Sequence, residues 1–589
     1  MSNAEISKLL RNVAASYAIK DEKKYYFQII AYQKAAEAIE QSTTELKDAY
    51  KENTLEKIPG VGPTIRKYLE ELFETGRVKH FEAVMQDVPQ AMFPLLDIPS
   101  FGPKKAYKLV TFFDLKEPTT VMSDLEKIGM DNKIAQLEGF GEKSQQDILQ
   151  AITEYKQGTT KSARMVYPFA HEIAEKIITY MKKNKAVVDI QPLGSLRRKV
   201  STIGDVDLAV ASKEPEKVIA HFVSYPYKER IIEQGPATSS ILISGGKHID
   251  LMVQQPERFG SLLQHFTGSK HHNIHLRELA LKKGLSLSEY GIKHKKDKDT
   301  TFKPYDTEEK FYKALGMEWI PPEIREDTGE IELALKNAVP KLIELSDIRG
   351  DFHIHSNFPL KPSHDLGRNT IEEMVKKALS LGYSTIGFSE HNPSVSNQSK
   401  KQVYDHIARR NEEIDKIQSR HKSIRIFKLL EVDILVGGHL AIDEDALSLL
   451  DGALVSIHSS FSMDKKAMTK RVLQGMSHPK AKILSHPTGR LLNERPGYDL
   501  EWDALFAFAK EHHKALEINS WPVRLDLPDT LVKEAVEHGV KLIIDTDSHA
   551  ADQMDNMQYG VAVARRGWAT KDAILNTMEY NKFSDWLKK

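Results

Sequence analysis

Cysteine is missing from all 589 residues. Its absence excludes disulfides, thiolate nucleophiles and Cys-based zinc sites, and leaves His, Asp and Glu to hold any metal. Net charge is missing too: 83 Lys and Arg balance 83 Asp and Glu, so contact with nucleic acid must come from local basic patches. Long hydrophobic runs are absent, and Met1-Ser2-Asn3-Ala4-Glu5 opens with no apolar signal core, so a soluble, cytoplasmic protein with no membrane partner is expected. At 40% hydrophobic and 28% charged residues the chain reads as globular, and its length calls for several domains.

What is present centres on Gly194-Ser195-Leu196-Arg197-Arg198-Lys199, followed by Gly204-Asp205-Val206-Asp207-Leu208-Ala209-Val210. The second run has strand composition, and side chains two apart in a strand share a face, roughly 6.5 Å apart. Two carboxylates at that spacing can bridge Mg²⁺ ions that neutralise a triphosphate and activate a hydroxyl. Gly194 and Ser195 allow close backbone approach, and the arginines carry forked donors suited to phosphate. A second strand-like run, Lys247 to Val253, carries a third carboxylate, Asp250. Asp is depleted in strands, so its recurrence calls for a reason. G-S…R-R…G-D-x-D with x-D-L resembles the palm of family X DNA polymerases, the family of DNA polymerase beta. Phe266-Thr267-Gly268-Ser269, Asn273, Arg277 and Glu289-Tyr290 resemble that family's sugar-sensing turn and nascent-pair contacts, with His265 where the pattern has tyrosine.

The first part of the chain is amphipathic and helical from Glu5 to Glu40, with Tyr26, Tyr32 and Lys34 as candidate DNA contacts beside a core reading. Pro59-Gly60-Val61-Gly62-Pro63 then looks like the turn of a helix-hairpin-helix, whose backbone N–H groups approach a phosphate at a helix N-terminus. Weaker copies follow at Pro99-Ser100-Phe101-Gly102-Pro103 and Gly139-Phe140-Gly141. Such turns grip DNA without reading its sequence. In family X the first belongs to a small 5′-phosphate-binding domain that can act as a lyase through a lysine. Tyr68 occupies the matching position and cannot form the imine, and Lys67 projects about 100° away. Lys161 to Lys185 reads as a helix into the palm, and Pro321 to Glu330 as a linker packed along a surface. His271, His272 and His275 lack carboxylate companions in pattern and are not expected to bind metal.

In the last part, Asp351-Phe352-His353-Ile354-His355 puts two imidazoles on one strand face. Later segments each end a strand with more ligand types: Ser389-Glu390-His391, Leu430-Glu431-Val432-Asp433, Ser456-Ile457-His458, Ser485-His486, Glu517-Ile518-Asn519 and Asp545-Thr546-Asp547-Ser548-His549. Amphipathic stretches from Thr370 to Leu381, Lys401 to Arg420 and Asp529 to His538 lie between them. Strand, loop and helix in repetition argue a parallel β/α barrel with ligands at the strands' C-terminal ends. The order resembles the PHP (polymerase and histidinol phosphatase) family. That resemblance implies a distorted barrel holding up to three metal ions, here on His353, His355, His391, Glu431, His458, His486, Asp547 and His549. The ninth ligand falls at Ser363-His364-Asp365, with Asp365 the candidate and His364 its rival. Imidazole and carboxylate suit Mn²⁺, Fe²⁺ and Zn²⁺ alike, with Mn²⁺ or Zn²⁺ expected here, and Arg490 and Arg524 follow ligand strands closely enough to clamp a phosphate.

The resemblance spans the chain and implies a gap-filling repair polymerase with a metal-dependent 3′-5′ exonuclease, of base excision repair type, with apurinic-site endonuclease activity a further implication. The expected architecture is multidomain: 1–85 helical 5′-phosphate/DNA-binding, 86–158 fingers, 159–256 α/β nucleotidyltransferase palm, 257–318 small α+β thumb, 319–347 linker, and 348–589 PHP. In the palm Asp205, Asp207 and Asp250 would hold two Mg²⁺ ions. Gly194, Ser195, Arg198, Gly204, Phe266, Gly268, Asn273 and Arg277 would bind the nucleotide, and Gly60, Gly62, Gly102, Gly139 and Gly141 the DNA. Gapped or primed DNA and dNTPs are the expected partners of a monomeric, nucleoid-associated enzyme. The rival readings are a nucleotidyltransferase joined to a PHP phosphatase and an inactive DNA-binding scaffold; the helix-hairpin-helix turns argue against the first, the intact Asp205, Asp207 and Asp250 against the second.

Overall fold

The computed structural model describes every residue except 2, 41–45, 52–54, 58–60, 99–100, 157–163, 295–300 and 397. It separates into two compact units: Met1–Arg164 with Glu175–Tyr180 and Ile219–Asp250, and Met165–Ala174 with Met181–Val218 and Leu251–Lys589.

The first unit is chiefly helical. Helices Asn3–Asp21 and Tyr26–Glu40 close over a core that includes Ile6, Leu10, Val13, Leu69 and Phe81. Tyr32 is buried there, so its face is a core face; Tyr26 is exposed. Tyr68 stacks on His80 with ring centroids 4.7 Å apart. The glycine turns recur in one geometry: helices Pro63–Thr75, Pro103–Phe112 and Glu142–Lys156 each begin right after a glycine. Gly62, Gly102 and Gly141 accept the first helical hydrogen bonds from Arg66, Ala106 and Gln145 at 2.9, 3.0 and 3.0 Å. Proline opens the first two helices, where its missing N–H costs nothing. A Cβ on any of these three glycines would meet nothing within 4 Å. Gly139 instead needs its glycine, because its φ is +83°. Gly60 lies outside the described residues.

The helix expected from Lys161 begins at Tyr167 and ends at Met181, preceded by the short strand Met165–Val166. Residues 161–163 lie outside the described residues. Strand Asp189–Pro192 pairs antiparallel with Val206–Ala211, whose burial alternates at its start, Val206 inward and Asp207 half-exposed. The thumb region gathers Phe311, Tyr312, Leu315, Ile320 and Ile324 into its own core. Pro321 to Glu330 is therefore not a surface linker. Arg325 and Glu330 are fully buried and Glu323 nearly so: Arg325 pairs with Glu308 and Glu323 with Arg565, while Glu330 accepts from the Asp327 and Thr328 N–H groups and faces the His272 ring.

The histidine-rich part alternates parallel strands with helices. Gly350–Ile354, Thr385–Phe388 and Arg425–Lys428 form one parallel sheet; Glu431–Asp433, Ala453–Ser456, Ala481–Leu484, Ala515–Asn519 and Lys541–Asp545 form another. Most of these strands are buried along their whole length, as parallel strands covered by helices must be. The segment 425–433 serves both sheets, with Leu429 N–H still donating to Phe388 and Leu430 accepting from Leu454. Single bridges link the sheets at His391 to Glu431 and Ile354 to Ser548, so among the described residues no continuous ladder closes a barrel. Capping boxes fix two of the intervening helices: Thr370 with Glu373 opens Ile371–Ser380, and Ser399 with Gln402 opens Lys400–Arg420. Among the described residues no helix is long and apolar enough to cross a membrane.

Candidate active sites

The loop expected to bind the nucleotide is a single helical turn, Gly194–Arg197, entered from strand Asp189–Pro192. Gly194 has φ +56°, and a Cβ there would stand 3.0 Å from Asp207 Oδ2. Gly268, at φ +69°, would bring a Cβ 3.0 Å from Arg198 Nη1. Both glycines are therefore places where backbone must pass close to an expected site residue. Asp205 sits exposed in the bend just before its strand, which begins at Val206, so it is one residue outside the ladder that was expected to include it. Asp250 lies on the half-exposed face of strand Lys247–Gln254 and accepts a hydrogen bond from the Ser240 hydroxyl. The boundary between the two units falls directly after Asp250.

Arg197, Arg198 and Lys199 each meet a carboxylate that the sequence pattern did not point to. Arg197 forks onto Glu308 at 2.9 and 2.7 Å, and Arg325 reaches the same carboxylate at 2.6 Å. Burial works to raise the Glu308 pKa, but Arg325 and Arg197 outweigh it and pull it down to about 2. Arg198 Nε donates to Glu326 at 3.0 Å and its Nη1 to Thr267 O at 2.5 Å. Lys199 meets Glu323 at 2.9 Å. Phe266 packs against the Leu193 and Ala209 cluster, and the Asn273 amide braces the turn, donating to His265 O at 2.7 Å and accepting from Gln264 at 2.9 Å. Arg277 is exposed. His272 is buried against Glu330 at 2.7 Å and Tyr312 at 3.0 Å, and His275 meets Asp327 at 2.7 Å. These histidines do have carboxylate companions, from a segment some fifty residues further on that spacing could not reveal.

The second site is built around Glu431. Its two oxygens lie 2.9 Å from His391 Nδ1, 3.2 Å from His353 Nε2, 3.6 Å from His355 Nε2, 2.9 Å from His486 Nε2 and 3.4 Å from His458 Nε2. Asp547 Oδ1 stands 3.3 Å from His355 and 3.5 Å from His353. Asp365 reaches in from the exposed rim, 3.4 Å from His391 and 3.7 Å from His549. His364 turns instead to Asp433 at 3.3 Å, with its ring 4.3 Å from that of His458. Carboxylates behind the rings orient them: His353 Nδ1–H donates to Glu517 at 2.6 Å and His458 Nδ1–H to Asp433 at 2.7 Å, turning each Nε2 inward.

Whether such a cluster suits cations can be read from its unsatisfied atoms. His353 Nε2, both nitrogens of His355, His391 Nδ1, Glu431 Oε2 and His549 Nε2 are buried without a hydrogen-bond partner. Unpaired buried polar atoms are costly unless something else holds them. Burial works to raise the Glu431 pKa, yet His391, His353 and His458 outweigh it and hold the carboxyl well below its ordinary range. Burial would lower His391, but Glu431 and Asp365 drive it up to about 10, whereas burial and Arg524 push His486 down to about 4. Ionised carboxylates and imidazoles converging on one volume fit metal ions, and groups within the cluster have the spacing to hold one. Glu390 is not among them, being spent on Arg410 at 3.2 Å and on the Ser356 hydroxyl at 2.5 Å. Arg490 is also spent, on the carbonyls of Arg524 and Leu525, and is no phosphate clamp. Arg524 does face the cluster, 3.7 Å from Asp547.

Two family models match the chain: a helix-hairpin-helix domain over residues 1–78 and a DNA polymerase beta thumb over residues 262–326. The thumb match takes in the buried segment after Trp319. Probable phosphatases of Thermoanaerobacter sp. (strain X514) and Clostridium acetobutylicum are 25% and 27% identical, each over 37% of this chain and 88% of its own length. The Bacillus subtilis protein named DNA polymerase/3′-5′ exonuclease PolX is 31% identical across the whole of both chains. The chain, with its glycine-braced carboxylate loop and its histidine cluster, belongs to the PolX family of DNA polymerase/3′-5′ exonucleases.

Proposed function

We propose that this DNA polymerase and 3′-5′ exonuclease fills short gaps during DNA repair and trims 3′ ends with its C-terminal domain. The observation that carries the reading is the presence on one chain of two dissimilar acidic sites, the Asp205/Asp207 loop and the Glu431 cluster. The domain partition that supports it is a helical DNA-gripping region to residue 158, a palm to 256, a thumb to 318 and a phosphoesterase barrel from 348. The buried contacts of 319–330 argue for counting that stretch with the thumb.

In the palm, Asp205, Asp207 and Asp250 would hold two Mg²⁺ ions. Ser195 and Arg198 would hold the β- and γ-phosphates, and the backbone at Gly194 and Gly268 leaves room for the nucleotide beside Asp207 and Arg198. Bound there, the ions would neutralise the triphosphate and lower the pKa of the primer hydroxyl. The chain's own contribution is orientation and charge placement for an in-line attack. Asn273 braces the turn under the sugar, and the glycines at 60, 62, 102, 139 and 141 would keep the DNA in register by contacts to phosphate.

In the barrel the nine residues His353, His355, Asp365, His391, Glu431, His458, His486, Asp547 and His549 would hold up to three Mn²⁺ or Zn²⁺ ions. Such ions would polarise a phosphoryl oxygen and supply a nucleophile at neutral pH. Glu517 and Asp433 fix the orientation of His353 and His458, and Arg524, 3.7 Å from Asp547, would meet the phosphate that the cluster attacks. Asp365 is favoured over His364 as the ninth ligand because it reaches both His391 and His549. The protein would act as a monomer in the cytoplasm.

The test is a 5′-labelled primer on one-nucleotide-gapped DNA with Mg²⁺ or Mn²⁺, with and without dNTPs. Asp207→Ala or Asp250→Ala should abolish extension and leave Mn²⁺-dependent shortening intact. Full extension by either variant would remove the palm assignment.

A further inference from the structure

The segment 321–326 does more than connect. It carries two carboxylates, and each is shared between the nucleotide loop and one of two adjacent arginines on helix Met557–Arg566 of the phosphoesterase domain. Glu323 takes Lys199 at 2.9 Å and Arg565 at 2.8 Å. Glu326 takes Arg198 Nε at 3.0 Å and Arg566 Nη1 at 3.1 Å, both on the same oxygen, Oε1. Arg566 is almost fully buried; it also donates to the backbone carbonyl of Arg198 at 2.7 Å, and its far side is fixed by Asp529 at 2.7 Å. A helix near the end of one catalytic domain thus contacts the phosphate loop of the other, both directly and through a carboxylate.

That arrangement has a chemical consequence for nucleotide binding. Arg198 cannot turn its guanidinium onto a triphosphate while its Nε is held by Glu326. If Glu326 had no other cation, releasing Arg198 would leave a partly buried carboxylate unpaired, and the cost would be charged against dNTP affinity. With Arg566 already on the same oxygen, Glu326 stays neutralised when Arg198 leaves. We infer that Arg566 is a positioning residue for nucleotide binding: it takes sole charge of Glu326 and so frees Arg198 for the incoming triphosphate. This rests on the reading of Arg198 as a phosphate ligand. It makes the phosphoesterase domain a working part of the polymerase site, with no transfer of substrate between the two.

The experiment is single-nucleotide incorporation by the full-length protein on gapped DNA, titrating dNTP to separate KM from kcat, with thermal melting as a check on folding. Arg566→Ala should raise KM for dNTP roughly tenfold, about the worth of one charge-assisted hydrogen bond, and change kcat less than about twofold. Glu326→Gln, at a position partly open to solvent, should leave KM at or below the wild-type value, because the amide holds Arg198 only weakly. Glu326→Gln with Arg566→Ala should fall back to the Glu326→Gln value, and Arg566→Lys should lie between wild type and Arg566→Ala. An unchanged KM in Arg566→Ala overturns the inference. So does a double variant as impaired as Arg566→Ala alone, since that would make Arg566 a matter of packing. Arg198→Ala separates the two failures. If it leaves KM untouched, the phosphate-ligand reading falls and the inference with it; if it raises KM while Arg566→Ala does not, only the inference falls.

Discussion

Glu308→Gln is the substitution whose effect the structure defines most closely. The carboxylate is nearly sealed from solvent and accepts from Arg197 twice, from Arg325 at 2.6 Å and from Trp319 Nε1 at 3.2 Å. The two arginines hold its pKa down at about 2, against an ordinary glutamate value near 4.5. Each unit of difference is worth 1.36 kcal/mol, so the ionised form contributes about 3 kcal/mol to folding. The cost of breaking a buried ion pair gives a similar figure, about 3–5 kcal/mol. Because the folded pKa is depressed, that stability is complete above the unfolded value near pH 4.5 and drains away as pH falls toward 2. Trp319, touching the carboxylate, is a local reporter. Urea unfolding followed by tryptophan fluorescence should show Glu308→Gln less stable by about 3 kcal/mol at pH 7, with the gap to wild type closing steadily between pH 4.5 and 3. Incorporation should suffer more than 3′ trimming, since Arg197 anchors the Gly194–Arg197 turn proposed to hold the nucleotide. A Glu308→Gln protein that unfolds with the wild type at pH 7, or a gap that stays constant with pH, would refute the argument.

His355→Ala and His549→Ala should each lower bound Mn²⁺ and 3′ trimming by at least about tenfold while sparing incorporation; Asp365→Ala should follow them and His364→Ala should not, as judged by metal analysis and primer shortening. Mn²⁺ binding should release protons, because ions displace them from His391, held up near pH 10 by its carboxylate neighbours. Affinity should therefore climb with pH across the neutral range, and calorimetry in buffers of different ionisation enthalpy would detect the protons; no dependence on buffer would count against ligation by His391. Gly62→Val with Gly102→Val should keep the melting temperature, since a Cβ meets open space at both positions, yet weaken gapped-DNA binding by about tenfold or more and with a changed salt slope. Undiminished binding would make those turns simple helix joints.

Motifs made of neighbouring residues were legible. Two glycines before a helix and two histidines around an isoleucine each fix a local geometry with a cap or with period two, and the chain folds accordingly at Gly62 and His353; of the two aspartates around a valine, only Asp207 lies in the strand. The order of strands and helices after residue 348 was also readable from alternation. What could not be read was pairing across long separations. Glu308 and Glu326 answer Arg197 and Arg198 from more than a hundred residues away, and a run such as Pro321 to Asp327 looks hydrophilic whether its charges face water or one another. Arg490 was misread for the same reason, since a guanidinium on a loop does not announce which side of it is buried, and the choice for Tyr32 between core and DNA contact was decided only by its burial. Asp433 and Glu517 stood in the quoted strand ends, and their office of orienting a ring became visible only once the rings had positions.

Glu431 leaves the cluster with a particular evolutionary fragility. Asp365 and His549 stand toward the rim and each touches few of the other ligands, but the single carboxylate touched by imidazoles from the first strand and from three later strand ends has no understudy. Once a lineage lost it, selection would have nothing left to preserve at the other positions. Relatives with a decayed nuclease should therefore have shed several of these histidines together, and half-degraded ligand sets that lack only this glutamate should be rare.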